Sequence, residues 1–395
     1  MKFNKLCTHT FLDKPTRPNN CDRLIYCPFS LQFSLIFTVN KIRSNIANTS
    51  CKLSYLCDVF DRILVWFYSL TMAVEPGDAK YVSKLNEEEK KRAKEELHEL
   101  NDKDREGAVQ ALRKWALEQK WLKTMTDFEF LLRFIRVRKY SQLGARETLE
   151  NYWTNRTNVP EWFKNLDPAD EKIHKVLRTG MMYCPKGYDK HGRKVIFGSM
   201  DNMDLSMMKS KEGQDLLYKT SCLLFDWLAY DEKAQVNGVV FVSDYTGASM
   251  EFIKFWNPEA EKKMLAYFQK SLPMRFKAFH LYKMPAFIDA LFAIISPFMS
   301  QKFKDRMHSH GKSLVKIYEE LGMEVFPDEY LPDDYEGPSA GTRQEIIEQN
   351  IQDIQKEEFR KYMLEMSSGK YYVDTEKRKS AEKPPEASFR KLNVD

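Results

Sequence analysis

Apolar residues recur three and four positions apart from about residue 86 to residue 165, then gather into short continuous runs. The first pattern marks amphipathic helices and the second marks buried strands. Asn86–Leu100 is densely charged and sets Ala93, Leu97 and Leu100 on one stripe. Glu106–Lys120 repeats the pattern with Val109, Leu112, Ala116 and Leu117. Asp127 stands as a cap before a third helix, which turns Phe128, Phe130, Leu131, Phe134 and Ile135 inward. Ser141 caps a fourth over Leu143–Asn155, and Pro160 closes it. Together these predict a helical module over residues 86–165.

After Pro168 the period changes. Met181–Tyr183 predicts a strand, residues 186–193 form a turn rich in glycine and charge, and Val195–Phe197 returns as a second strand. Gly213–Tyr230 reads as a long helix, Gly238–Ser243 as a buried β-branched strand, Pro258–Gln269 as a helix and Ala278–Tyr282 as another strand. Strands separated by helices of this length predict an α/β fold with a mainly parallel sheet.

Pro285–Met299 stands apart. Phe287, Leu291, Ile294 and Phe298 fall on one helical face, and Ile288, Phe292, Ile295 and Met299 on the next, with Asp289 the only charge. A helix apolar nearly all round is buried or meets a membrane, and this one is too short to span a bilayer. Gln301–Lys316 follows and reads as a basic helix carrying Lys302, Lys304, Arg306, Lys312 and Lys316, with His308 and His310 solvated. Arg343–Glu365 predicts one more helix. From Glu376 onward, past Pro384 and Pro385, the composition is that of a disordered tail.

Charge changes the picture at the N-terminus. The 395 residues carry a net charge of +5, and residues 1–71 supply all of it with nine Lys/Arg against four Asp/Glu. The remainder balances at 53 of each sign, which argues against a nucleic-acid partner. Five of the seven cysteines (Cys7, Cys21, Cys27, Cys51 and Cys57) share that stretch, leaving Cys184 and Cys222. Two isolated cysteines make no disulfide framework, so a reducing compartment is expected. Leu24–Val39 is short for a membrane span, contains Pro28, and starts late for a signal peptide. Leu53–Val74 is interrupted by Asp58, Asp61 and Arg62 and fits an interfacial amphipathic helix. The abrupt shift favours translation from Met72, with residues 1–71 foreign to the functional protein.

Catalytic patterns fail one by one. Gly311-Lys312-Ser313 needs a glycine where Arg306 stands. No Gly-x-Ser-x-Gly elbow occurs, and no Gly-x-Gly-x-x-Gly follows a strand. His308-x-His310 lacks a carboxylate at helical spacing, and the cysteine pairs lack zinc-site spacing. Asp244, at a strand's carboxyl end, has no nucleophile or base beside it. No enzyme, no metal and no cofactor are expected.

Three segments together resemble the CRAL-TRIO family, in the branch that holds the tocopherol and retinaldehyde carriers and the clavesins. One is Phe130-Leu-Leu-Arg-Phe-Ile-Arg-Val-Arg-Lys139. The second is Tyr188-Asp-Lys-His-Gly-Arg-Lys-Val-Ile196 with Val239-Val-Phe-Val-Ser-Asp-Tyr-Thr-Gly247. The third runs from Leu272 to Pro285, through the apolar helix, and on to Lys302-Phe-Lys-Asp-Arg-Met-His-Ser-His-Gly311. The sequence departs where Glu336 replaces a glycine of the family's closing motif and where Thr246 replaces the tocopherol carriers' acid.

The resemblance implies a helical module over residues 86–165 and a lipid-binding domain over 166–337; residues 1–71 and the helix plus tail over 338–395 lie outside it. It implies a sheet floor and a mobile apolar lid. Phe287, Ile288, Leu291, Phe292, Ile295 and Phe298 would line the pocket from the lid, and Val195, Phe197, Val239 and Phe241 from the floor. Arg275, Lys277, Lys302 and Arg306, with Lys304 adjacent, would bind phosphoinositide head groups, while Arg133, Arg136 and Arg138 would bond within the protein. The implied ligand is one hydrophobic molecule, a tocopherol, retinoid, other terpenoid or phosphoinositide. The protein would be a cytoplasmic monomer that docks transiently on anionic endosomal or plasma membranes. The alternative is a phosphoinositide-sensing trafficking or signalling adaptor whose Arg343–Lys361 helix recruits a partner. On that division a pure carrier keeps transfer when everything after Tyr335 is deleted.

Overall fold

The computed structural model describes residues 81–382. The expectations for Leu24–Val39, Leu53–Val74, Met72 and the chain beyond residue 382 lie outside the described residues.

Helix α1, Glu87–Arg92, begins at a capping box in which the Asn86 side chain and Glu89 serve each other's backbone N–H groups. A wide turn at Ala93–Leu97 continues it and ends at His98, whose φ is 67°. The expected helix to Leu100 therefore stops early, with Leu97 buried and Leu100 exposed. Helix α2, Asp102–Glu118, starts four residues before its expected place because Asn101 accepts from Asp104 N. Its expected apolar face keeps Val109, Leu112 and Ala116, while Leu117 is 65% exposed. Strand β1, Leu122–Lys123, precedes helix α3, Phe128–Val137, and helix α4, Gln142–Asn158. Phe130, Phe134, Tyr152 and Trp153 meet between α3 and α4 at centroid distances of 5.1 to 6.0 Å.

Helix α5, Glu171–Arg178, leads to the sheet. Strand β2, Lys194–Ser199, is followed by helix α6, Lys211–Tyr230, then β3, Val239–Asp244, helix α7, Pro258–Ala266, and β4, Phe276–Tyr282. Helix α8, Ala286–Ile295, crosses over to the edge strand β5, Met307–Ser309, and helix α9, Val315–Leu321, follows it. The four strands run parallel in the order β2-β3-β4-β5. The expected strand Met181–Tyr183 shrinks to one antiparallel bridge between Tyr183 and Phe197. Gly238 enters β3 with φ of 89°, and an added Cβ would stand 2.6 Å from the Arg275 carbonyl, so only glycine fits there.

The expected basic helix Gln301–Lys316 does not form. One turn, Gln301–Lys304, gives way to β5, where His308 pairs opposite His280 and His310 N donates to Leu281 O at 2.9 Å. A short polar edge strand carries no period that distinguishes it from a solvated helix.

The expected single helix after residue 343 is two, α10, Arg343–Ile354, and α11, Glu357–Met366. They bury Ile346, Ile347, Ile351, Ile354, Phe359 and Met363. The buried Asn350 amide bonds the Cys184 backbone in both directions, at 2.8 and 2.7 Å. Strand β6, Tyr372–Val373, then pairs antiparallel with β1. Thr375–Glu382, expected within the tail, is helical. Among the described residues no helix is long and apolar enough to cross a membrane.

Candidate functional site

Helix α8 is a crossover connection of a βαβ unit, yet it has no polar face to give to solvent. Ile288 and Leu291 are buried, and Phe287, Phe292 and Ile295 are half-buried. Ile294 and Phe298 stand 51% and 53% exposed. The helix packs mainly on α7. Phe298, expected to face inward, instead carries the Lys262 ammonium 4.7 Å above its ring, because the chain tightens from α-helical to 3-10 geometry at Ser296–Phe298 and turns that ring outward.

The sheet sorts the floor residues by parity, since paired residues of a parallel ladder share a face. Register sets Ile196 beside Phe241 and Phe241 beside Phe279. Phe241 stacks on Phe279 at 5.3 Å, and Phe279 reaches Phe303 at 4.7 Å, just after the α8 segment. Phe225 of α6 and Phe268, after α7, pack on the same ring, so this face looks toward α6 and α7. Val239 shares it. Val195 and Phe197 do not: they are one register position off and point to the other face, where Phe197 meets Tyr183, Phe326 and Tyr330 at 5.3 to 5.8 Å. Ile196 and Phe279 are the floor residues that strand alternation alone, without register, could not select.

The same side carries polar groups that the sequence did not single out. Tyr218 of α6 donates to Glu261 of α7 at 2.7 Å, and Tyr245 follows β3 directly. None of the three belongs to a recognisable motif: Glu261 stands in a charged run from Glu259 to Lys263, Tyr218 precedes Lys219 and Tyr245 follows Asp244. Asp244 is engaged otherwise: it accepts from Tyr330 at 3.0 Å and from the Thr246 amide and hydroxyl at 2.8 and 2.6 Å.

The basic residues converge. Burial first, then the positive fields of Arg306, Arg138, Lys139 and Arg275, lowers the Lys302 pKa. Arg306 is lowered by burial and by Arg275. The cluster thus joins the α3 C-terminus, the start of β4 and the segment after α8. Lys304, two positions past Lys302, is half-buried. Among the described residues Lys302, Lys304 and Arg306 form no ion pair. Arg275 and Lys277 do: both reach Glu96 Oε2, at 2.6 and 3.0 Å. Burial would raise the Glu96 pKa, but these two bonds hold it down at about 2. Sequence reading left Arg138 and Lys139 out of the cluster, since only the fold brings α3 beside β4. Arg138 also bonds Thr148 Oγ1 at 2.5 Å. Arg136 and Arg133 do bond within the protein, Arg136 to Glu99 and Glu232 and Arg133 to Tyr362.

The remaining titratable groups are structural. His308 and His310, expected on a helix, flank the buried His280, whose Nδ1 lies 2.9 Å from His310 Nε2. Burial pushes the Cys184 thiol up to about 12 and Cys222 well above its ordinary value, so neither is reactive. Among the described residues no His, Cys, Asp and Glu group could hold a metal.

Comparison with known proteins follows this geometry. A family model described as CRAL/TRIO domain matches residues 177–337, and one described as Pinta-like, UBA domain matches residues 101–173. The mouse (Mus musculus) alpha-tocopherol transfer protein-like protein is 34% identical over 256 residues, 65% of this chain and 73% of that protein. Clavesin-1 of Xenopus laevis is 29% identical over 205 residues, 52% of this chain and 60% of that protein.

Proposed function

The chain belongs to the CRAL/TRIO family, which binds and transfers lipophilic molecules, and on that premise we propose that it carries one small hydrophobic lipid beneath α8 and exchanges it at phosphoinositide-bearing membranes. The observation that carries this reading is α8 itself. It is a ten-residue helix, apolar on every face but for Asp289, that presents Ile294 to solvent, as the turn after it presents Phe298, and a cluster of cations without ion pairs follows in the chain. An apolar inner face covers lipid; an apolar outer face enters a bilayer. Burying roughly 400 Å² of lipid would stabilise the complex by roughly 10 kcal/mol at ~25 cal/mol/Å², before association costs. Water is then no acceptor, and release needs a membrane. Each cation near an anionic surface adds about 1 kcal/mol, which favours docking with Lys302, Arg306, Arg138 and Lys139 toward the head groups.

The adaptor reading draws no support from Arg343–Lys361, because that segment's apolar residues are spent on the core. The test begins with solvent extraction of the purified protein and mass spectrometry of what it holds; one lipid species near one per protein is expected. Transfer to vesicles containing phosphatidylinositol bisphosphate should then slow about ten-fold or more in Lys302→Ala with Arg306→Ala, with uptake unchanged. Equal transfer rates sink the docking half of the proposal, and a folded protein that takes up no lipid sinks the carrier half.

A further inference from the structure

A guanidinium deep in a protein is ordinarily matched by a carboxylate. Two buried arginines show the rule: Arg136 is held by Glu99 and Glu232, and Arg156 by Asp226. Arg133, one turn before Arg136 on α3, breaks it. It is 2% exposed, yet among the described residues it makes no ion pair. Its one hydrogen bond runs from Nη1 to the neutral Tyr362 hydroxyl at 3.1 Å. Nε is buried without a partner. Nη2 donates to none of the described residues and, unlike Nε, is not closed off. The rings of Phe130, Tyr230 and Tyr362 lie 5.2 to 5.9 Å from the guanidinium carbon. Rings ease the burial of a cation but leave its N–H groups unsatisfied.

A cavity of about 330 Å³ adjoins this residue. Leu132 and Arg133 of α3 line it together with Tyr81, which lies ahead of α1, and with Tyr188 and Tyr230. None of its walls belongs to α7, α8 or the sheet, so it is not the space beneath the lid. Two carboxylates also line it, and both are committed elsewhere. Glu232 accepts from the Tyr81 hydroxyl, the Ser83 hydroxyl at 2.8 Å, the Lys84 amide at 2.6 Å and Arg136 at 3.0 Å. Asp231 accepts from the Tyr188 hydroxyl at 2.7 Å and the Lys233 amide at 2.9 Å. The cavity therefore holds one buried cation that nothing neutralises, beside three aromatic rings.

We propose that this cavity is a second ligand site, and that it takes a small organic monoanion: a carboxylate on a flat aromatic body. The carboxylate accepts charge-assisted hydrogen bonds from Arg133, and the body packs on Leu132 and the rings of Tyr81, Tyr188 and Tyr230. One unmatched cation sets the ligand charge at one. A dianion brings a charge with no partner close to Asp231, Glu232 and the exposed Glu129. The volume lies at the small end of ligand sites, which suits a bicyclic acid. The walls come from the helical module and from the lipid-binding domain, so the ligand bridges the two.

The full chain is titrated calorimetrically with 2-naphthoate, with the neutral 2-naphthamide of the same shape, and with the dianion 2-naphthyl phosphate. Naphthoate should bind at one per protein and about ten-fold tighter than naphthamide, with the phosphate weaker than naphthoate. Arg133→Met keeps the apolar stem and should abolish the preference for naphthoate over naphthamide. No binding of naphthoate, equal binding of naphthoate and naphthamide, or tighter binding of the phosphate overturns the proposal. A preference that survives Arg133→Met puts the probe elsewhere, beneath α8 included, and overturns it too. Where Arg133→Met does not fold, Lys84→Glu decides, because Lys84 lines the cavity from an exposed position. Naphthoate should weaken about three-fold or more in it while naphthamide is unchanged. An equal loss for both probes, or no loss, overturns the site.

Discussion

Glu96 sits among the cations as a built-in competitor. It occupies Arg275 and Lys277, which an anionic head group would otherwise meet. Glu96→Gln should therefore raise affinity for phosphoinositide vesicles about five-fold, the equivalent of one further cation, read by vesicle sedimentation. A second residue-scale expectation concerns His280. Burial, with His308 of the edge strand, His310 just after it and Arg193 just before β2, lowers its pKa to about 4 against the pull of Glu320 on α9. An unfolded imidazole titrates near 6.5, so the unfolded chain binds the proton first as pH falls. Stability is then present above about 6.5 and lost as pH drops from there toward 4. Urea melts at steps across that window should show the loss, and His280→Gln should flatten it. None of this was legible in sequence, because Glu96, His280 and His310 are ordinary residues until the fold sets them side by side. Val195 and Phe197 taught the same lesson in reverse: the sequence shows that they are apolar, but only the register shows which way they point.

At the scale of elements, the long periodic segments were legible and the short ones were not. Helices α4, α6 and α7 and strands β3 and β4 lie within a few residues of where periodicity and caps put them. Strand β5 was missed because it is three residues long and takes its identity from its neighbour β4. Helix α8 was found because nothing else in the chain is so uniformly apolar. Its outward positions yield a direct test. Ile294→Asp removes an exposed side chain, so stability should change by no more than about 0.5 kcal/mol. A charge there opposes entry into a bilayer by about 2.5 to 3.5 kcal/mol at full depth, and lipid delivery to vesicles should slow by roughly ten-fold or more. Uptake from a detergent-dispersed lipid should be unaffected.

On the scale of the whole molecule, the C-terminal helices belong to the body rather than to an appendage. Deleting everything after Tyr335 removes α10, α11 and β6, strips six large apolar side chains from the core and leaves the Cys184 backbone without Asn350. The truncated chain should be insoluble or lose its cooperative thermal transition, so it cannot separate a carrier from an adaptor as sequence reasoning supposed. The sequence showed the helices but not that they close the fold, since a stripe of isoleucines does not say what it packs against.

The pairing of β1 with β6 sets Leu122 opposite Val373. A ribosome makes the first long before the second. For most of synthesis the helical module has an unfilled edge, and α8 emerges while the helices that complete the core are still untranslated. Contacts this distant in sequence form slowly, and exposed apolar segments in the meantime invite association. Until β6 is made, α8 therefore stands exposed without the helices that complete the core, and that interval is when the nascent chain is most open to association.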